Sequence, residues 1–198
     1  MIALLLIDLQ NDFLPGGALA VGEGDQVIPV ANRLLPAYPL VVATQDWHPA
    51  GHRSFASQHA GKSIGDVIEL DGLPQVLWPD HCIQGTWGAQ FAPGLDMGGV
   101  DHIVQKGTDP QIDSYSGFFD NARRKRTGLE DYLQREGVDE VHIVGLATDY
   151  CVKFTALDAV GLGFKTKVIL EGVRGVELHE GDCEAAIADM AKAGIEIL

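Results

Sequence analysis

Uninterrupted apolar runs alternate along this chain with stretches whose apolar residues recur every three or four positions. The first run, Ile2–Ile7, has no polar break until Asp8, which suits a strand buried on both faces of a parallel sheet. A turn at Leu14-Pro15-Gly16-Gly17 follows. Asp25 is then expected to cap a helix whose Val27, Val30, Ala31, Leu34 and Leu35 form a 3.6-residue stripe. Residues 40–44 predict a second strand running into Gln45-Asp46-Trp47-His48-Pro49, and residues 102–105 a third that ends at Lys106-Gly107. Residues 141–144, 166–170 and 195–198 supply three more. Helices are expected from a Thr127-Gly128-Leu129-Glu130 capping box to about Glu136, along Val152, Ala156, Ala159 and Val160, and over 179–193. Strands alternating with helices predict an α/β fold: a doubly wound, mostly parallel six-stranded sheet with helices on both faces.

Residues from about 50 to 99 break this rhythm and are rich in Gly, Pro and His. So long an irregular stretch is expected to be functional or to hold short elements. The organisation expected is one domain over 1–198 with this insertion at about 50–99. Its 198 residues, 46% of them hydrophobic, suffice for a substantial core. A net charge of −14, with Arg123-Arg124-Lys125-Arg126 the one basic run, argues against nucleic acid or an anionic membrane as partner. Cys82, Cys151 and Cys183 form no C-x-x-C pair and leave one over, which suits a reduced, cytoplasmic protein. The run Ile2–Ile7 is too short for a signal peptide or a membrane span.

The candidate chemistry centres on Gly145-Leu146-Ala147-Thr148-Asp149-Tyr150-Cys151-Val152, where a strand passes into a helix. Thr148 or Asp149 is expected to cap that helix, putting Cys151 in its first turn. Unpaired N–H groups there favour a thiolate and can hold an oxyanion. A small buried thiol fits the same position. Asp8, Asp46, Lys106 and the Cys151 turn all fall at the C-terminal ends of predicted strands, the edge where open α/β sheets bind ligands. Singly, the two aspartates read equally well as caps and Lys106 as a surface charge; jointly they point to one crevice. Asp8 would take the thiol proton and return it to a leaving amine, with burial raising its pKa and Lys106 steadying the anions. Asp46-x-His48 in an extended segment puts a carboxylate and an imidazole on one side, a set that suits Zn, Fe or Mn. His81 is the best third ligand; His52 and His59 are alternatives for a further position. Phe13 and Trp78 either sandwich a flat ring or simply fill the core.

The motifs Asp8-Leu9-Gln10-Asn11-Asp12-Phe13, Asp46-Trp47-His48-Pro49, Trp78-Pro79-Asp80-His81-Cys82, Lys106-Gly107 and the Cys151 stretch resemble, in order, those of nicotinamidases of the isochorismatase-like superfamily. The D-x-Q-x-x-F start is shared across the superfamily, and the D-x-H with W-P-x-H pair narrows it to nicotinamidase (also called pyrazinamidase). The resemblance implies hydrolysis of nicotinamide, and of pyrazinamide, through a cysteine thioester in NAD salvage. It implies a triad of Cys151, Asp8 and Lys106, and a divalent Zn, Fe or Mn ion on Asp46, His48 and His81. It also implies a ring packed on Phe13 and Trp78, with Tyr115 nearby, and a cis Leu146–Ala147 peptide that lets the N–H groups of Ala147 and Cys151 form an oxyanion hole. The implied partner is a small molecule, with homo-oligomerisation open. Another cysteine amidase such as an N-carbamoyl amidohydrolase, which does not need the metal site, is the nearest rival reading. A catalytically silent binding protein is a second. An isochorismatase is disfavoured, because that chemistry uses no cysteine nucleophile.

Overall fold

In the computed structural model, which describes residues 1–198, β1 (Ile2–Ile7) lies inside a six-stranded sheet. On one side of it come β2 (Val41–Asp46) and then β5 (His102–Lys106); on the other come β6 (Glu140–Leu146), β7 (Lys165–Arg174) and the short β8 (Glu196–Ile197). Every neighbouring pair is parallel. The chain therefore starts in the middle, winds outward through β2 and β5, and returns to wind the other way from β6. The join of β1 and β6 is the point where the winding reverses, and ligands bind beyond the strand ends at such a point.

The apolar run of β1 is continuous because both its faces are covered. Leu4 and Leu6 pack with Val27, Ile28 and Ala31 of α1 (Val27–Leu34) and with Ala89 and Leu95 from the insertion. Ala3, Leu5 and Ile7 pack on the opposite face with α2 (Leu129–Arg135), α3 (Lys153–Gly161) and α4 (Asp182–Lys192), through Leu133, Ala156, Ala159 and Met190. Leu4, Leu5 and Leu6 are each 0% exposed, and burying such a side chain contributes about 1.5–3 kcal/mol. No helix is long and apolar enough to cross a membrane.

Local departures from the expected elements have identifiable causes. Asp25 does not cap α1: it sits inside a 3-10 turn, Gly24–Gln26, that precedes the helix, and no side chain caps either element. The Thr127 box forms by half. The Thr127 hydroxyl accepts the Leu129 N–H at 3.2 Å, whereas Glu130 pairs outward with Arg126 and the Thr127 N–H goes to Phe118 O. Strand β7 runs past Leu170 to Arg174, because a register shift opposite Ile143 and Gly145 absorbs the polar Glu171 and lets Gly172 press against Val144. The insertion carries an antiparallel hairpin of β3 (Val67–Leu70) and β4 (Leu73–Val76). Its two-residue turn, Asp71-Gly72, has φ of +52° and +84°, the left-handed pair that Asp-Gly favours in tight hairpins.

Gly145 faces Ile7 across the β1–β6 pair with φ +131°, and a Cβ there would come 2.2 Å from the Ile7 carbonyl oxygen. Gly145→Ala is therefore expected to cost about 2 kcal/mol or more of folding stability, read as a lower urea midpoint at unchanged m value. An unchanged midpoint would contradict this account of the strand crossing.

Candidate active site

Strand register places the charged groups. Asp46 and Lys106 are partners at the ends of β2 and β5, so their side chains leave the sheet on the same side. The Lys106 ammonium, 1% exposed as a residue, donates to Asp46 Oδ1 at 2.6 Å and to Ser114 O at 2.9 Å; Cys151 Sγ is 3.5 Å away. Asp8 Oδ2 lies 2.9 Å from the same nitrogen, an ion pair without a well-directed hydrogen bond. Carboxylate oxygens of Asp8 and Asp46 and the Cys151 sulfur all lie within 4.8 Å of one another. Asp8, Lys106 and Cys151 thus converge as expected, with Asp46 shared between them and the histidines.

Thr44 is the group that sequence reading missed. Its hydroxyl accepts the Asp8 N–H at 3.1 Å and donates to Asp8 Oδ1 at 2.6 Å, holding a residue whose φ is +49°. The signal was available: Thr44 stands two residues before Asp46 on the same side of β2. Gln10, quoted above only as part of the D-x-Q-x-x-F motif, has a structural role that the sequence did not show. Its amide spans from Asp46 N–H (2.7 Å) to Asp46 O (2.8 Å) and so ties the loop after β1 to the end of β2.

Burial dominates the protonation states. It pushes Asp8 above the usual carboxylate range, against the pull of Lys106, and the charge of Asp46 adds to the rise. It pushes the Cys151 thiol well up too, with Lys106 pulling down and Asp8 pushing up. Burial thus works against the thiolate that the helix end and Lys106 favour. The local geometry agrees: Thr148–Val152 is a π-helical turn ahead of α3, with the Val152 N–H bonded to Ala147 O at 3.1 Å. Neither Thr148 nor Asp149 caps it. Lys106 stays charged despite its burial, because Asp46 and Asp8 outweigh the loss of solvent and hold its pKa well above normal.

Asp46, His48 and His81 form a set whose donor atoms fit a metal ion. His48 Nδ1 donates to Gly107 O at 2.9 Å and His81 Nδ1 to Pro79 O at 2.8 Å. Each Nε2 is left as the lone-pair atom, 3.6 and 3.9 Å from Asp46 Oδ2, and His48 Nε2 is buried with no hydrogen-bond partner. Carbonyls that fix the far nitrogen are the usual support of ligating histidines. Burial and the neighbouring His48 push His81 down to about 4, so it carries the neutral imidazole that a metal needs. Gly107 explains the second half of the Lys-Gly pair: a Cβ there would fall 2.4 Å from the His48 ring. His52 does not join the set as a free ligand. Its Nδ1 accepts from Ser54 and its Nε2 donates to Ile112 O. His59 donates to Arg53 O instead.

A pocket opens beside these groups, lined by Phe13, Trp78, Tyr115, Ala147 and Cys151, with Asp46 and His81 on its wall. Phe13 packs edge-on to His81, with ring centroids 5.6 Å apart. Tyr115 supports the opposite aromatic: its hydroxyl accepts Trp78 Nε1–H and Gln75 Nε2–H, both at 3.2 Å. Tyr150, next to the cysteine, meets Trp78 edge-to-face at 4.8 Å and was another unforeseen member of the wall. The Leu146–Ala147 peptide is cis.

Comparison with known proteins agrees with this arrangement. The model of the isochorismatase domain matches residues 2–198. Nicotinamidase of Escherichia coli is 53% identical over 196 residues, covering 97% of this chain and 92% of that protein. The solved nicotinamidase/pyrazinamidase of Acinetobacter baumannii superposes with a TM-score of 0.97 at 48% identity, covering 100% of this chain and 95% of that one. Pyrazinamidase of Pyrococcus horikoshii, solved in complex with zinc, gives a TM-score of 0.81 at 39% identity, over 100% and 98% of the two chains. This chain belongs to the isochorismatase-domain family, and within it to the nicotinamidase/pyrazinamidase group.

Proposed function

We propose that the chain hydrolyses nicotinamide, and pyrazinamide with it, to the ring acid and ammonia, using Cys151 as nucleophile. The observation that carries this reading is the convergence of Asp8 and Lys106 on the Cys151 thiol, which itself lines an aromatic pocket. In the first half-reaction the sulfur bonds to the carboxamide carbon while its proton passes to Asp8. Burial raises the Asp8 pKa, which makes its carboxylate a better acceptor for that proton than a free aspartate would be. Lys106 offsets the negative charge as it forms. The carbonyl oxygen becomes an oxyanion facing the backbone N–H groups of Ala147 and Cys151. Collapse breaks the C–N bond, Asp8 returns its proton to the nitrogen, and ammonia leaves a thioester. Asp8 then takes a proton from water as that water attacks the thioester carbon. The thiol leaves reprotonated, and the acid is released.

Phe13 and Trp78 hold the ring, and Tyr115 fixes the Trp78 indole through its hydroxyl. Asp46, His48 and His81 would hold one divalent Zn, Fe or Mn ion, which when bound supplies a Lewis-acidic anchor for a ring nitrogen. Asp46 serves both centres, since Oδ1 accepts a hydrogen bond from the Lys106 ammonium and Oδ2 faces the imidazoles. The irregular segment at about 50–99 thereby becomes the part of a single hydrolase domain that supplies Trp78 and His81.

Three outcomes are expected. Cys151→Ala abolishes ammonia release while nicotinamide still binds, measured by calorimetry; turnover by that variant removes the nucleophile assignment. Thr44→Val frees the Asp8 carboxylate and lowers kcat about 10–100-fold with little change in KM, whereas Thr44→Ser, which keeps the hydroxyl, stays near wild type. Equal activity of both variants would deny Thr44 its part in orienting Asp8. Verified removal of metal by a chelator suppresses ammonia release and restoration recovers it. Activity that survives removal would make the Asp46–His48–His81 cluster structural.

A further inference from the structure

The two residues before Cys151 each reach outward to a different part of the pocket wall. Tyr150 packs on Trp78, while Asp149 faces the segment that follows β7. The Asp149 carboxylate accepts the Val176 N–H at 3.0 Å on one oxygen and the Glu177 N–H at 2.7 Å on the other. Val176 lines the pocket beside Leu19 and packs on the core cluster that contains Phe13 and Ala147. The segment has no room to drift inward at its start, because a Cβ on Gly175 would fall 3.2 Å from Asp149 Oδ1 and 1.9 Å from Cys183 Sγ. Glu177 is held at φ +52°, a conformation that a non-glycine residue keeps when its surroundings impose it. Beyond it Leu178, His179 and Glu180 are exposed, and their ties run onward to the start of α4, from Gly181 N–H to Glu177 Oε1 and from His179 N–H to Asp182 Oδ2, not to the pocket wall.

We propose that Asp149 is a positioning residue that sets the width of the pocket at Val176 and so limits the size of ring amide admitted. This rests on the amidase reading above. One buried carboxylate spans the nucleophile turn and the wall, so the distance between reacting sulfur and apolar wall is fixed by two charge-assisted hydrogen bonds. An asparagine in its place can accept only one of those N–H groups and turns its own NH2 toward the other.

The test compares wild type, Asp149→Asn, Val176→Ala and the double variant, with nicotinamide and a 5-alkylated nicotinamide as substrates. Asp149→Asn is expected to raise KM for nicotinamide about tenfold with kcat within about threefold, and to narrow the preference for nicotinamide over the bulkier amide. Val176→Ala should reproduce both changes, and in its background Asp149→Asn should add less than about twofold. Iodoacetamide should alkylate Cys151 at the wild-type rate in every variant. A fall in kcat and alkylation rate with unchanged KM would overturn the inference and leave Asp149 as a support of the turn, and so would independent, multiplying effects. If wild type releases no ammonia, the amidase reading itself fails. Protection of Cys151 from iodoacetamide by nicotinamide then reports the wall: a loss of protection in Asp149→Asn supports its positioning role, and unchanged protection denies it.

Discussion

A single buried ammonium braces this site. Lys106 reaches Asp46, Asp8, Ser114 O and Cys151, drawing together the ends of β1, β2 and β5 and the turn after β6. Taking such charges out of water costs several kcal/mol per ion, and only close, well-directed partners offset it. Removing one member of a buried pair typically costs about 3–5 kcal/mol, because the remaining charge is stranded. The same contacts that hold the strand ends together therefore set the protonation of the reacting groups. Two carboxylates share one cation, so an excess negative charge stays in the crevice, where it disfavours a resting thiolate and suits a divalent ion on the far side of Asp46.

The sheet makes that brace feasible. Because all six strands run parallel, their C-terminal ends lie along one edge, and the reversal of winding between β1 and β6 leaves an opening there. Side-chain alternation then sorts roles within each strand. Val41 and Ala43 pack in the core on one face of β2, while Val42, Thr44 and Asp46 share the other, with Thr44 and Asp46 at its site end, and the β2–β5 register brings Lys106 opposite Asp46 without any loop to position it. The aromatic wall has a looser origin. Trp78 and His81 come from the insertion, which is tied back through the Asp12 carboxylate accepting the Cys82 N–H at 2.7 Å.

Much of this was legible in the chain. Unbroken apolar runs such as Ile2–Ile7 announce doubly covered strands, and chemistry-bearing residues immediately after them announce the site. What escaped reading depends on side-chain partners chosen in three dimensions. Asp149 looked like a cap because Asp often is one, yet its carboxylate spends both oxygens on residues 27 and 28 positions away. Thr44 looked like the polar end of a strand, and only its distance to Asp8 reveals the reciprocal bond. His52 lies outside the Asp46–His48–His81 set but groups with His48 and Asp113, a grouping set by the fold that its place in the chain does not show. The hairpin in the insertion was the avoidable omission, since Asp71-Gly72 between short apolar stretches is a strong local turn signal.

The central place of β6 bears on how the molecule is made. During synthesis β1, β2 and β5 emerge first and can pair with one another, but the other edge of β1 stays unpaired until residues 140–146 leave the ribosome. An apolar strand with an open edge is prone to join the wrong neighbour. The part of the chain made by then is already acidic, with 18 Asp and Glu against 9 Lys and Arg before residue 140, a charge that favours mutual repulsion of nascent copies while the sheet is half built. Cys151 is the last of the proposed triad to arrive, so the nascent chain cannot assemble that triad before β6, the strand that covers the open edge of β1, has emerged.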